Sequence, residues 1–230
     1  VTMSSLPPRI FGVCLCLAET SELFSLPRCQ NDLTLKKLKS HLQLLTGIPL
    51  HFQRLQYLDE SENLQLLGNL PDDSTFKDND IVPGGTITVR ICRQDGWGRL
   101  VAAAAKGETV KLAHLGVTED FAGTTPYAEI LGPQQKKEWV AHRAFVALFV
   151  ASHRGHVKTA KFLLRHGADL HSKTPLGRTA LHVAAVMGQC DCIKLLLCCG
   201  AQALDRDREG QTAVSLARLW GQKQSERTMV

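Results

Sequence analysis

Two kinds of hydrophobic periodicity run along the chain. Up to Ile91 the apolar residues come in short runs. Ile10–Leu17 and 22–26 are rich in β-formers and flank Ala18-Glu19-Thr20-Ser21, a turn-like tetrapeptide, which predicts a hairpin. Leu35, Leu38, Leu42 and Leu45 then recur at helical spacing with Lys36, Lys37 and Lys39 between them. This predicts a helix over 34–45, capped by Asp32 or Thr34 and ended by Gly47 ahead of Pro49. Gln53–Leu58 and Thr86–Ile91 complete a strand set, the latter with the clean alternation of a half-buried strand. Beyond residue 94 the pattern changes to apolar clusters closed by glycine.

Those clusters repeat. Leu148-Phe149-Val150-Ala151-Ser152-His153-Arg154-Gly155, Leu181-His182-Val183-Ala184-Ala185-Val186-Met187-Gly188 and Val214-Ser215-Leu216-Ala217-Arg218-Leu219-Trp220-Gly221 align with their glycines 33 residues apart. Thr179 and Thr212, Gly177 and Gly210, and Gly167-Ala168 and Gly200-Ala201 keep the same step. Several registers agreeing on one period signal a stacked-repeat architecture, in which each unit has one apolar face that it cannot bury alone. Within a unit, Thr179 is placed to cap a first helix. Ala184 and Ala185 are small enough for close helix packing, and Gly188 supplies a left-handed end. Ile193, Leu195, Leu196 and Leu197 build a second helix. A weaker copy lies upstream in Leu100–Gly107, with Val110, Leu112, Ala113 and Leu115 as a shortened second helix. From Gly107 to Gly155 is 48 residues, 15 beyond the period, which predicts an insertion over 117–140, more often disordered than a binding element in such a position.

The period and the segment Thr179-Ala180-Leu181-His182-Val183-Ala184-Ala185 resemble the ankyrin repeat and its T-P-L-H-x-A-A motif, with Ala180 where Pro is usual. The resemblance implies an all-α ankyrin-repeat solenoid over 94–230. Its parts are a degenerate repeat 97–116, the insertion 117–140, repeats 144–171 and 177–204, a half repeat 210–221 and a tail 222–230 without the apolar residues of a second helix.

The first half, 9–93 behind a disordered 1–8, has the order hairpin, helix, strands. Thr34-Leu35-Lys36-Lys37-Leu38-Lys39, Gly47-Ile48-Pro49 and Gln53-Arg54-Leu55 resemble the ubiquitin family's helix, turn and third strand. Asn69–Asp78 resembles its acidic L-x-D-x-x-T-L-x-D region, and Gly84–Val89 its last strand. The resemblance implies an α+β β-grasp, ubiquitin-like domain. It departs from the family where function is concerned. Gly84-Gly85 precedes the last strand and no such tail follows Cys92, so conjugation is excluded on this reading. The positions matching the family's apolar docking patch hold Gln56 and Arg90, and a charge there is costly to desolvate.

Composition narrows the classes. Apolar residues make up 44% of the 230 and aromatics 6%, enough for a packed core. Residues 1–93 carry nine Lys/Arg against ten Asp/Glu, and residues 94–230 carry 18 against 12. The second half therefore suits an acidic partner, but it is too dilute in charge and too poor in aromatics for nucleic acid. No apolar run approaches membrane length. The eight cysteines accompany no secretory signal, so reduced thiols in an intracellular, cytoplasmic setting are expected, with the nucleus also open. The chain begins with Val1 and reads as a fragment, a processed form or an incomplete gene model, with Met3 a candidate start.

Candidate chemistry is sparse. Cys190, Cys192, Cys198 and Cys199 invite a zinc reading, but adjacent helical residues point about 100° apart, and packing is the better account. His182 is expected to hydrogen-bond backbone across repeats. His153, His156 and His166 fall at positions that usually face solvent. No nucleophile–base arrangement or phosphate loop is recognisable, so no catalytic residue, metal or cofactor is assigned and an enzyme is not expected. Thr228-Met229-Val230 fits a C-terminal carboxylate ligand, a signal of only three residues. Ankyrin arrays usually bind protein through their turn tips and first-helix face. The resemblance therefore nominates Phe149, Ser152, His153, Lys173, Thr174, Met187, Arg206, Arg208 and Arg218 as a protein-binding surface on a monomeric, non-enzymatic adaptor with an unidentified protein partner. The other reading is an adaptor delivering cargo to the proteasome or a ubiquitin ligase.

Overall fold

A computed structural model describes residues 10–67, 70–92, 94–120 and 125–230. The disorder expected of 1–8 lies outside the described residues. The chain divides into two units, 10–42 with Phe52–Ile91, and Gln43–His51 with Cys92–Val230.

In the first unit the strands are β1 (Ile10–Leu17), β2 (Glu22–Gln30), β3 (Gln53–Leu58), β4 (Leu64–Leu66) and β5 (Thr86–Ile91), with helix α1 (Leu35–Thr46) between β2 and β3. They form one sheet in the order β2-β1-β5-β3-β4. β1 and β5 run parallel; the other pairings are antiparallel. Alternation places Val13, Leu15, Leu17, Leu55, Tyr57, Ile87, Val89 and Ile91 inward, and Leu35, Leu38 and Leu42 of α1 are buried with them. This is the expected β-grasp. β2 extends past the predicted 22–26 to Gln30, through Pro27. It lies at a sheet edge, where a missing N–H is tolerated. The pairing of β1 with β2 shifts register between Phe11 and Val13. β4 is three residues long, too short for alternation to announce it.

The second unit is helical: α2 (Trp97–Lys106), α3 (Thr109–Ala113), α4 (Pro126–Glu129), α5 (Pro133–Arg154), α6 (Val157–Arg165), α7 (Ala180–Val186), α8 (Cys190–Cys198), α9 (Ala213–Leu219) and α10 (Lys223–Met229). The inner helices α2, α5, α7 and α9 pack in series, and α6, α8 and α10 form an outer layer behind α5, α7 and α9. Thr179 and Thr212 cap α7 and α9 with their hydroxyls, as the repeat predicts. Ala180 to Val186 are all buried, so α7 has no solvent face.

Three features depart from expectation. The tail is a helix: α10 packs against α8 and α9, burying Ser225. An outer helix needs few apolar residues when a small hydroxyl can sit at the contact. The described part of the insertion, 117–120 and 125–140, is also folded. α5 starts at Pro133, well before its repeat, and Trp139 and Val140 pack with Ala128 and Leu131. Arg143, 1% exposed, anchors this segment. It donates to the carbonyls of Leu115 and Asp95, both at 2.7 Å. Its guanidinium lies 5.0 Å from the Trp97 ring centroid and 4.7 Å from that of Trp139, both in cation–π range. Trp139 Nε1 donates to Asp95 at 2.6 Å. Burial pushes the Arg143 guanidinium down to about 10, and Asp95 offsets part of that shift. Third, the end of α1 is buried on a face that the leucine stripe does not mark. Gln43, Leu44 and Thr46 are buried, whereas Leu45 is half-buried.

Candidate functional site

The site begins at the turns joining successive repeats. Thr174 N–H donates to the Arg178 carbonyl at 2.9 Å, and Gly177 N–H to the Thr174 carbonyl at 2.7 Å, closing the first tip. One period later Asp207 N–H donates to the Gln211 carbonyl at 2.9 Å. Thr174 and Asp207 share a register position and a role, since each side chain accepts from the N–H four residues on, Arg178 and Gln211 respectively. Arg208 N–H donates to the Leu176 carbonyl at 2.9 Å, joining the two tips through main chain.

Arg178 locks this arrangement from beneath. It is 1% exposed and lies 3.2 Å from Asp207, which is itself buried. It also donates to Glu209 at 3.2 Å and to the Gln43 side-chain oxygen at 3.2 Å. His182 Nδ1 accepts from Thr179 N–H at 3.1 Å, and its Nε2 donates to the Gln211 carbonyl at 3.2 Å. The expected bridge between repeats is therefore present. Burial holds the His182 imidazole below its usual range, so it is a neutral strut rather than a base.

The nominated residues separate into two groups. Lys173, Arg206, Arg208 and Arg218 are exposed, and Met187 is partly so. Lys173 lies 3.9 Å from Asp205, Arg206 donates to the Gly210 carbonyl at 2.9 Å, and Arg218 pairs with Glu226 at 2.5 Å. Phe149, Ser152, His153 and Thr174 are buried and form no part of the surface. Phe149 stacks edge-on with Phe145 within the inner layer. His153 is covered by Gln43–His51, which belongs to this unit, and its Nε2 donates to the Leu44 carbonyl at 2.7 Å. Arg154 sits against its Nδ1 and donates to the Thr46 carbonyl at 2.7 Å. Burial, then Arg154, push the imidazole down to about 3. Thr174 Oγ1 donates to Gln43 at 3.4 Å. The period aligns these positions with one another but not with what covers them: the partners of His153 and Thr174 lie 109 and 131 residues away in sequence, and periodicity carries no trace of them. His156 is also half-buried, with Nε2 donating to the Ala105 carbonyl at 2.7 Å, while His166 is exposed. Arg178 was not nominated, since an arginine between Gly177 and Thr179 gives no sign in sequence of being buried.

Among the described residues no three His, Cys, Asp or Glu side chains stand together as a metal site. Cys192 is buried, its thiol pushed up to about 11 by desolvation and then by Asp191, whereas Cys198 and Cys199 are exposed. In the first unit Arg90 Nε donates to Gln56 at 3.0 Å, so the positions matching ubiquitin's docking patch form a polar pair. Gly84 and Gly85 lead into β5, and a Cβ on Gly85 would fall 2.3 Å from the Tyr57 ring. No described helix is long and apolar enough to cross a membrane.

An α+β sheet unit and a stack of capped helix pairs define an interaction protein built from two modules. Comparison with family models agrees: ankyrin repeats, in the three-copy form, match residues 100–207 and 148–225, and a ubiquitin-like domain matches residues 13–90. The ankyrin matches span more than half of the chain, which belongs to the ankyrin-repeat family and carries an N-terminal ubiquitin-like domain. No curated protein matches it.

Proposed function

We propose that this chain is a non-enzymatic adaptor whose ankyrin unit holds one protein partner while its ubiquitin-like unit engages a second. The carrying observation is the buried Arg178–Asp207 pair beneath the turn tips. It holds Lys173, Arg206 and Arg208 outward on turns already joined by main-chain hydrogen bonds. A surface fixed before binding loses little conformational freedom on binding. Met187 and Arg218 extend this surface, and Phe149, Ser152, His153 and Thr174 support it from below. Modules of both kinds are typically non-catalytic. In this reading the protein acts as a monomer in the cytoplasm or nucleus, where its thiols stay reduced, and it resembles the group of ankyrin proteins that begin with a ubiquitin-like domain.

The test is proximity labelling in cells with the full chain and with Arg206→Glu combined with Arg208→Glu. A defined set of proteins labelled by the parent and lost from the variant is expected. Identical sets would sink the tip assignment. Delivery of cargo to the proteasome or a ligase is the competing role, and the Arg90–Gln56 pair speaks against it. Stoichiometric recovery of proteasome subunits by the full chain would reverse that preference.

A further inference from the structure

The outer helices of the ankyrin unit carry a second regularity that the adaptor reading does not use. Lys161 on α6, Lys194 on α8 and Arg227 on α10 occupy one register position, each 33 residues from the next. All three are exposed. Lys158 and Arg165 add two more exposed cations at i−3 and i+4 from Lys161, on the same face of α6. Glu226 is engaged with Arg218 and Glu108 with Lys111. On this face Asp191, one turn before Lys194, is exposed. Each repeat thus contributes one outward cation to a row that crosses the helices.

Packed helices lie about 8–10 Å apart, which sets the spacing along the row. A polyproline II strand places every third side chain on one side at about 9 Å intervals. We propose that this row is a docking site for an extended acidic protein segment with a carboxylate at every third residue. Charge complementarity selects the sign and repeat spacing selects the period. A nucleic acid is the poorer fit. In a duplex its phosphates rise by only about 3.4 Å along each strand, out of step with the row, and they would meet Asp191. The face also offers no free aromatic platform, because the half-buried Phe162 ring packs on His166 at 4.2 Å. The site is separate from the turn tips, so it stands or falls independently of them.

The experiment is fluorescence anisotropy of the full chain with a labelled peptide of repeated Glu-Pro-Pro triplets at low salt. Saturable binding that weakens with added salt is expected. Combining Lys161→Ala, Lys194→Ala and Arg227→Ala should weaken it about tenfold, the effect of losing three exposed charge pairs, while Lys36→Ala with Lys37→Ala leaves it intact. Lys194→Glu alone, at the centre of the row, serves as a second variant, and thermal unfolding verifies the fold of each. Equal binding by the triple variant would overturn the proposal. So would equal binding of a peptide with its glutamates contiguous, or tighter binding of an oligothymidylate of the same charge.

Discussion

Arg178 and His153 show how much a single buried polar side chain determines here. Arg178 is satisfied by Asp207, Glu209 and Gln43 together. Truncation to Ala leaves the Asp207 carboxylate buried without its cation, which costs on the order of 3–5 kcal/mol. Urea denaturation of Arg178→Ala should show a loss of this size, and Arg178→Met with Asp207→Asn, which removes the charge but keeps an acceptor for the Glu209 and Gln211 N–H groups, should recover part of it. His153 is neutral in the folded chain, its imidazole pushed down to about 3. The unfolded chain takes up a proton near pH 6.5, and the folded one does not until far lower. Stability is therefore unaffected by this group above about pH 6.5 and falls as pH drops toward 3, by at most about 1.4 kcal/mol per pH unit. His142 and His182 are shifted in the same direction and add to that slope. His153→Gln should flatten the acid limb of a stability–pH profile, and an unchanged limb would mean that His153 is solvated.

At the scale of elements, the repeat joint is the informative unit. Gly155 ends α5 at φ 79°, and a Cβ there would fall 2.3 Å from the Gln189 amide, which donates to the His153 carbonyl. Gly188 meets Gln222 in the same way one repeat later. Gly221 has the same left-handed backbone at φ 72°, but no neighbour within 4 Å. Gly155→Ala is expected to cost about 2–3 kcal/mol, and Gly221→Ala only the left-handed penalty of about 1–2. Thermal melts of the two variants separate packing from backbone cost, and equal losses would remove the packing part. These glycines were legible in sequence because each repeat must reverse the chain at the same step. α10 and the helices α4 and α5 within the insertion were not. Ser225 and Arg143 are polar in sequence and become core only because Cys190 and the Trp97–Trp139 pair lie against them.

For the whole molecule, the division of the chain into units carries its own prediction. Gln43–His51 counts with the ankyrin unit, where it supplies acceptors to His153, Arg154 and Arg178. A chain begun at Gln94 lacks those acceptors: His153 and Arg154 lose their bonds to the Leu44 and Thr46 carbonyls, and Arg178 loses one of its three partners. Hydrogen exchange in α5 and around Arg178 should be faster in that fragment than in the full chain, and equal rates would show the segment to be dispensable. With Cys192 buried and Cys198 and Cys199 turned to solvent, a chelator is expected to leave the thermal midpoint of the full chain unchanged.

The sequence by itself determined the two modules, the period, the caps and the glycine joints. Each of these is set by local spacing that a hydrophobic face or a turn imposes on neighbouring residues. It also placed Lys173, Arg206, Arg208 and Arg218 at the surface, because tips and helix ends repeat. Only the tertiary structure decided that Phe149, Ser152, His153 and Thr174 are covered, that Arg178 is buried, and that the tail and the described part of the insertion fold. The partners in those contacts come from distant parts of the chain, and whether a polar side chain is surface or core depends on whether such a partner satisfies it.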